Sequence, residues 1–177
     1  MDGYVELHCH SNFSLLDGAS HPEEIVSAAG DIGMPALALT DHDGLYGAIR
    51  FYKAARAAGI KPVIGVELTL DGGQHITLLA RDSTGYSNLC RLVTKSHLDN
   101  SKGSPSIAFS SLAEKSGGII CLSGCRKGEV ASLILDGKPG RAEEAARRYR
   151  DIFGQDYYIE VQNNLCPGDE RLCSSLI

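Results

Sequence analysis

Histidines and carboxylates recur in this sequence directly after segments that have the composition of strands. They follow three successive segments: His8 and His10, then Asp41 and His42, and then Glu67. Imidazole and carboxylate groups are the side chains that bind divalent metal ions of the first transition row. Burying several ionisable groups together is costly unless a cation compensates for their charge. The pattern therefore predicts a metal site.

Each of these motifs is weak evidence when it is taken alone. Strand side chains alternate between two faces, so the spacing of His8 and His10 aims both imidazoles the same way. A single His-x-His is nevertheless more often a pair of satisfied polar residues. The Asp41-His42 pair alone is explained as a polar turn that caps the next helix. Three such signals at successive strand ends are much harder to explain by packing.

The elements that must position these residues alternate between strands and helices. Strands are predicted at 4–8, 36–40, 61–67, 75–80, 118–123 and 157–161. Helices are predicted at 48–58, 86–97, 129–135 and 141–153, after a first helix that is opened by a Ser20/Glu23 capping box and ended by Gly33. Buried strands alternating with helices indicate a parallel α/β architecture. In a closed parallel barrel the carboxyl ends of all strands lie on one face, which would bring the candidate ligands together.

The composition limits what the chain can bind by itself. Its 17 basic and 22 acidic residues give a formal net charge of −5, whereas a protein that grips DNA usually carries a basic surplus. We therefore expect weak DNA binding by this chain alone. Met1-Asp2-Gly3 does not open a signal peptide, and no apolar run approaches the ~20 residues of a membrane span. With six cysteines in no compact pattern, this predicts a cytoplasmic protein with reduced thiols and no membrane partner.

Several motifs resemble those of the polymerase and histidinol phosphatase (PHP) domain. They are Leu7-His8-Cys9-His10-Ser11, Leu16-Asp17-Gly18, Leu39-Thr40-Asp41-His42 and Gly65-Val66-Glu67. Other segments are similar to the alpha subunit of bacterial DNA polymerase III: 36–47, 60–65, 84–89 and 122–125. The residues at 161–164 look closest to its error-prone paralogue. The resemblance covers essentially the whole chain and identifies residues 1–177 as a PHP domain, the N-terminal fragment of a longer polymerase.

The resemblance implies a distorted, TIM-like (βα)7 barrel with up to three divalent ions, zinc, manganese or iron, at its C-terminal face. The metal ligands that it implies are His8, His10, Asp17, His42, Glu67, His97 and Cys125. Asp41 would orient a ligating imidazole, and a metal-bound water would be the nucleophile. Cys125 is alternatively a small buried thiol. His21 and His75 are expected to lie outside the site.

The sequence departs from the family pattern in one respect. The family takes its last ligands, an Asp and one or more His, from strands after the sixth, and this chain has no histidine after His97. We therefore expect a barrel that is truncated before its last strands, with an incomplete metal cluster. A barrel with strands missing would also have open edges.

Two functions of different kinds are compatible with these observations. As an enzyme, the domain would hydrolyse phosphate esters, since clustered divalent metals activate water and neutralise phosphate charge. In a polymerase the implied activity is a proofreading 3′–5′ exonuclease. As a non-enzyme, it would be a structural module that metal stabilises. A free-standing PHP phosphoesterase is disfavoured because the detailed match is to the polymerase. The implied partners are the rest of the polymerase chain and, through it, DNA.

Overall fold

The computed structural model describes residues 3–177. Met1 and Asp2, which belong to the segment where no signal peptide is expected, lie outside the described residues. The elements are α1 (Pro22–Asp31), β1 (Ala36–Leu39), α2 (Ala48–Ala57), β2 (Lys61–Thr69), β3 (His75–Ala80), α3 (Ser83–Leu98), α4 (Phe109–Glu114), β4 (Ile119–Leu122), α5 (Glu129–Leu135), α6 (Pro139–Phe153), β5 (Tyr157–Tyr158) and α7 (Asp169–Leu176). None of the helices within this range combines the length and the apolar composition that crossing a membrane requires.

The five strands form one mixed sheet in the order β1-β2-β3-β4-β5. β1 is parallel to β2 and β4 is parallel to β5, whereas β3 is antiparallel to both of its neighbours. The predicted α/β class is confirmed. The TIM-like barrel is not confirmed, because the sheet of the described residues is open. The short connection 70–74 explains the antiparallel pairing of β2 and β3, since a parallel pair needs a crossover of a dozen or more residues.

The N-terminal segment differs from the strand that was predicted at 4–8. It lies beside β1, with one isolated parallel bridge between Glu6 and Leu37. Two backbone hydrogen bonds hold it there, from Ala38 N to the Glu6 carbonyl and from Thr40 N to the Cys9 carbonyl, each 2.8 Å long. The segment therefore carries His8 and His10 past the edge of the sheet without a continuous ladder of its own.

Two other boundaries also differ from the predictions. Helix α1 is capped one residue later than expected, because the carboxylate of Glu24 accepts a 2.7 Å hydrogen bond from the backbone N–H of His21. Strand β5 has two residues instead of five, and the backbone N–H of Glu160 donates to Ser123 Oγ at 2.9 Å. A side chain has thus replaced the ladder partner of Glu160.

Two apolar clusters hold the elements in place. The larger one packs the sheet against α3, α4 and α6, and its members include Val66, Leu68, Leu78, Leu89, Leu112, Ile119 and Tyr149. The second packs β1 against α1 and α2, with Val26, Leu37, Leu39, Phe51 and Ala55. Because full burial of one such side chain stabilises the fold by about 1.5–3 kcal/mol, these layers fix the positions from which the polar strand ends project.

Candidate metal centre

The candidate site is built around the carboxylate of Glu67, which is fully buried in β2. Three imidazole nitrogens surround its Oε2: His8 Nε2 at 3.4 Å, His10 Nε2 at 3.2 Å and His42 Nδ1 at 3.3 Å. A fourth imidazole, that of His75, lies with Nδ1 3.0 Å from Oε1 of the same carboxylate. Four histidines from three separate segments therefore meet on one buried acid.

Backbone pairing beyond the end of β1 places His42 next to this acid. His42 and Glu67 form an isolated parallel bridge, and Glu67 N donates to the Asp41 carbonyl at 3.1 Å. The next residue, Asp43, has a left-handed backbone with φ 47°. Its carboxylate holds this turn by accepting hydrogen bonds from the backbone N–H and the hydroxyl of Thr69, at 2.9 and 2.8 Å. The turn fixes where the His42 ring points.

Asp41 has a different role from the one that was expected, which was to orient a ligating imidazole. Its carboxylate accepts hydrogen bonds from Ser11 N at 2.7 Å, from Ser11 Oγ and from Ser14 Oγ at 2.7 Å. Ser14 Oγ in turn accepts the backbone N–H of His42 at 3.0 Å. Among the described residues no imidazole contacts Asp41. The acid ties the loop after His10 to the end of β1.

Asp17 reaches the cluster from that loop. Its Oδ2 lies 2.6 Å from His42 Nε2 and 3.7 Å from His10 Nδ1. The hydrogen bond from His42 lowers the pKa of Asp17, so this exposed acid is ionised. The loop folds back tightly at Gly18, where a Cβ would lie 2.0 Å from the Ser11 carbonyl oxygen. A glycine is therefore required for Asp17 to reach His42.

Cys125 lies at the same acid, and His97 does not. Cys125 Sγ lies 3.3 Å from Glu67 Oε1, and burial together with the charge of Glu67 raises the pKa of this thiol to about 12. His97 is exposed at the end of α3, where its Nε2 donates to the Asp43 carbonyl at 2.6 Å. Of the predicted ligands, six line one cleft of about 500 Å³: His8, His10, Asp17, His42, Glu67 and Cys125.

Two residues that contact the cluster, His75 and Glu160, were missed from the sequence. His75 begins β3, and Glu67 pairs directly with Thr77, so His75 lies on the same face of the hairpin two residues away. The short 70–74 connection was the signal that could have found it. Glu160, just after β5, lies with Oε1 2.6 Å from His8 Nδ1. No local pattern in the sequence indicates that contact.

The buried acids of the cluster need positive charge beside them. Burial by itself would raise the pKa of Glu67, but the close imidazoles of His10, His75 and His8 lower it far below its usual range. Burial alone would lower the pKa of His8, but hydrogen bonds with Glu160 and Glu67 raise it to about 10. Within residues 3–177 neither Glu67 nor Glu160 pairs with a lysine or an arginine. Protons on the imidazoles, or a bound cation, must supply the positive charge.

The donor set fits divalent metal ions. Three overlapping groups have ligand atoms within 4.8 Å of one another: His8, His10 and Glu67; His10, Asp17 and His42; and His42, Glu67 and His75. Ligands around one tetrahedral zinc ion at ~2.1 Å are roughly 3.4 Å apart, which is close to the 3.2–3.4 Å spacings around Glu67 Oε2. That oxygen is buried and has no hydrogen-bond partner of good geometry in the described chain. Nitrogen and carboxylate donors suit zinc, manganese or iron.

Comparisons with known proteins identify the family of this chain. Residues 6–164 match the PHP domain model. The chain is 44% identical over 98% of its length to an error-prone DNA polymerase of Symbiobacterium thermophilum, and 40% identical over 98% to the DNA polymerase III subunit alpha of Treponema pallidum. It spans 17% and 16% of those two proteins.

A solved structure shares the fold. A protein of Bifidobacterium adolescentis, assigned as a metal-dependent phosphoesterase, superposes with a TM-score of 0.58 at 17% identity. The match covers 97% of this chain and 82% of the other. At that identity the superposition establishes the fold alone. The family match over 6–164 decides the classification: the chain belongs to the PHP domain family.

Proposed function

We propose that residues 1–177 form the PHP domain of a longer bacterial polymerase chain, and that this domain hydrolyses phosphate esters with divalent metal ions. The convergence of His8, His10 and His42 on the buried Oε2 of Glu67 carries the proposal. The 40–44% identity to DNA polymerase III alpha and error-prone polymerase segments supports the polymerase setting. The partner of the domain is then the rest of that chain.

The residues of the cleft have separate tasks in this proposal. His8, His10, His42 and Glu67 hold the metal, and Asp17 joins them through the edge of the cleft that is open to solvent. Bound divalent ions would activate a water molecule and offset the charge of the phosphate. Three overlapping donor groups support more than one ion and up to three. Cys125 is a soft ligand next to Glu67. Its thiol must lose its proton when it binds metal.

The substrate that we propose is the 3′ end of a DNA strand, held by the rest of the polymerase. The net charge of −5 supports this division of tasks, because a surface without a basic surplus holds DNA weakly.

The seven-stranded barrel stays a prediction, and a structure of a longer polymerase chain would test it. A structural role is the second candidate, favoured by the position of His97 outside the cluster.

Metal analysis followed by an assay with two substrates tests the proposal. The chain is purified without added metal and its zinc, manganese and iron contents are measured. A longer polymerase chain that contains the domain is then incubated with a single-stranded 3′ end and with a small phosphate monoester, with and without chelator. We expect bound metal and chelator-sensitive 3′ cleavage. Cleavage of the monoester alone would favour a general phosphoesterase, and metal without either activity would favour the structural module.

A further inference from the structure

The end of the last strand provides a second buried acid to the metal centre. We propose that Glu160 is a positioning residue, which holds the His8 ring so that its Nε2 faces the metal. Glu160 Oε1 lies 2.6 Å from His8 Nδ1, and the two side chains are 10% and 6% exposed. This inference rests on the proposed function, because a ring orientation matters only if Nε2 binds metal.

His8 needs such a partner because its own segment restrains it weakly. The isolated bridge at Glu6 and a few backbone hydrogen bonds hold residues 3–10 beside β1. An imidazole can also bind metal through either nitrogen, and the hydrogen bond of the other nitrogen decides which one is free. With Nδ1–H donated to Glu160, Nε2 is the nitrogen left for metal, and it lies 3.4 Å from Glu67 Oε2 and 3.1 Å from His10 Nε2.

Two neighbours hold Glu160, and a third residue contacts the His8 ring beside it. Its backbone N–H donates to Ser123 Oγ at the end of β4, 2.9 Å away. Gln162 Nε2 donates to Glu160 Oε1 at 2.6 Å, and Thr77 Oγ1 of β3 lies 3.2 Å from His8 Nδ1. The acid therefore has a single position from which to orient the ring, as pre-organised metal sites require.

The remaining oxygen of Glu160 indicates what balances its charge. Oε2 is buried and has no hydrogen-bond partner within the described residues. The only basic side chain that pairs with Glu160 in that part of the chain is His8. A buried carboxylate is costly unless it is paired. A cation on the far nitrogen of His8 would polarise the ring and strengthen its hydrogen bond to Glu160, so metal and acid stabilise each other.

The contact also joins the two open edges of the sheet. His8 lies beyond β1 at one edge, and Glu160 follows β5 at the other. Glu160 is thus the carboxylate partner that Asp41 was expected to be. It lies 152 positions from its histidine in the sequence. The carboxylate of Asp41 instead accepts hydrogen bonds from Ser11 and Ser14.

Substitutions at Glu160 test the inference through metal affinity. Glu160→Ala removes the acceptor, and we expect Zn²⁺ binding to weaken about 10–100-fold, the usual effect of losing such a partner. Glu160→Gln keeps an oxygen that accepts from Nδ1–H, so we expect a smaller loss. Glu129→Gln is the matched control, because that acid bonds Tyr149 and Arg148 and does not line the cleft. Affinities are measured on the full chain by competition with a chromophoric zinc chelator.

A second measurement identifies directly which nitrogen of His8 is protonated and which binds metal. Nitrogen-15 NMR of the histidine side chains in the zinc-loaded wild type should show His8 protonated on Nδ1 and bound through Nε2. Binding through Nδ1 would overturn the inference, even if Glu160→Ala does not fold. Wild-type zinc affinity in a folded Glu160→Ala would overturn it as well, while leaving the proposed function intact. If the wild type neither binds metal nor cleaves phosphate esters, the proposed function fails first.

Discussion

The apolar layer between the sheet and α3 and the polar cleft at the strand ends are both buried, but different forces hold them. The layer is filled by side chains such as Leu68 and Leu89, whose contacts have no preferred direction. In the cleft, Glu67 must meet imidazoles at specific atoms and has no arginine or lysine partner in the described chain. One region stabilises the fold, and the other is stable only when its charges are compensated.

Strand β2 contributes to both regions. Val66 and Leu68 are fully buried in the larger apolar cluster, and Glu67 between them points to the cleft. Because strand side chains alternate, a slip of one residue in register would exchange the two sets. The apolar layer therefore sets the position of the acid, although it makes no contact with metal. Substitutions that affect one region and not the other can test this separation.

The largest expected effect on folding comes from the apolar side. Phe51 is fully buried between β1 and α2, and Phe51→Ala should lower the free energy of unfolding by about 3–5 kcal/mol. Urea unfolding with chelator present measures it, and Phe51→Leu is the milder control. Because Phe51 lies outside the cleft, Zn²⁺ should stabilise the variant and the wild type equally. A selective loss of the zinc effect would contradict the separation.

The converse experiment removes a candidate ligand. His10→Ala deletes the imidazole 3.2 Å from Glu67 Oε2. We expect more than about 100-fold weaker metal binding, beyond the loss typical of an orienting partner, and loss of metal-dependent 3′ cleavage in a longer polymerase chain. The free energy of unfolding, measured with chelator present, should change little in comparison with the metal affinity. Full nuclease activity in His10→Ala would leave the structural module as the better explanation.

Asp41→Asn should have intermediate effects on both the free energy of unfolding and the metal affinity. The acid accepts three hydrogen bonds from Ser11 and Ser14, and the new amide would face donors with an NH₂ group. We expect a loss of about 1–3 kcal/mol in the free energy of unfolding. Metal affinity should fall less than in His10→Ala, because the loop and not a ligand is disturbed. Equal stability of variant and wild type in chelator would show that this loop is not held by Asp41.

The sequence was sufficient for the parts of the molecule that depend on local patterns. Apolar runs and helical periodicity predicted the core of β1, β3, β4 and α6, and the His-x-His and Asp-His motifs predicted residues that do line the cleft. Their convergence on Glu67 depends on the pairing of the N-terminal segment and β2 with the end of β1. The family match over 6–164 confirms the resemblance that those motifs carried.

The parts that were wrong or missed depend on how segments pair, which the local patterns used for prediction do not show. Parallel pairing was expected throughout, but the direction of β3 is set by the short 70–74 connection. That error also hid His75, which the hairpin brings to Glu67. His97 as a ligand stays a prediction, and its Nε2 donates to the Asp43 carbonyl outside the cluster. The Glu160 contact has no local signature, because its two residues lie at opposite edges of the sheet.

The smallest expected effect concerns a hydrogen bond within the apolar layer. Tyr149 is buried in the larger cluster, and its hydroxyl donates to Glu129 Oε2 at 2.9 Å. Tyr149→Phe keeps the ring and removes the bond. Glu129 retains Arg148 as a partner at 2.5 Å. We therefore expect a loss of only about 0.5–1.5 kcal/mol at neutral pH, with metal affinity unchanged.

The pH dependence of that loss gives a sharper test. Burial, followed by the charge and the hydrogen bond of Glu129, raises the pKa of Tyr149 well above its usual value. The unfolded state therefore releases the proton first, at a pKa of about 10. The stability that this hydroxyl contributes is fully present below that pH and is lost as the pH rises further. The advantage of the wild type over Tyr149→Phe should thus shrink above about pH 10 and then reverse, whereas a constant difference would mean that the pKa of Tyr149 is not raised in the folded state.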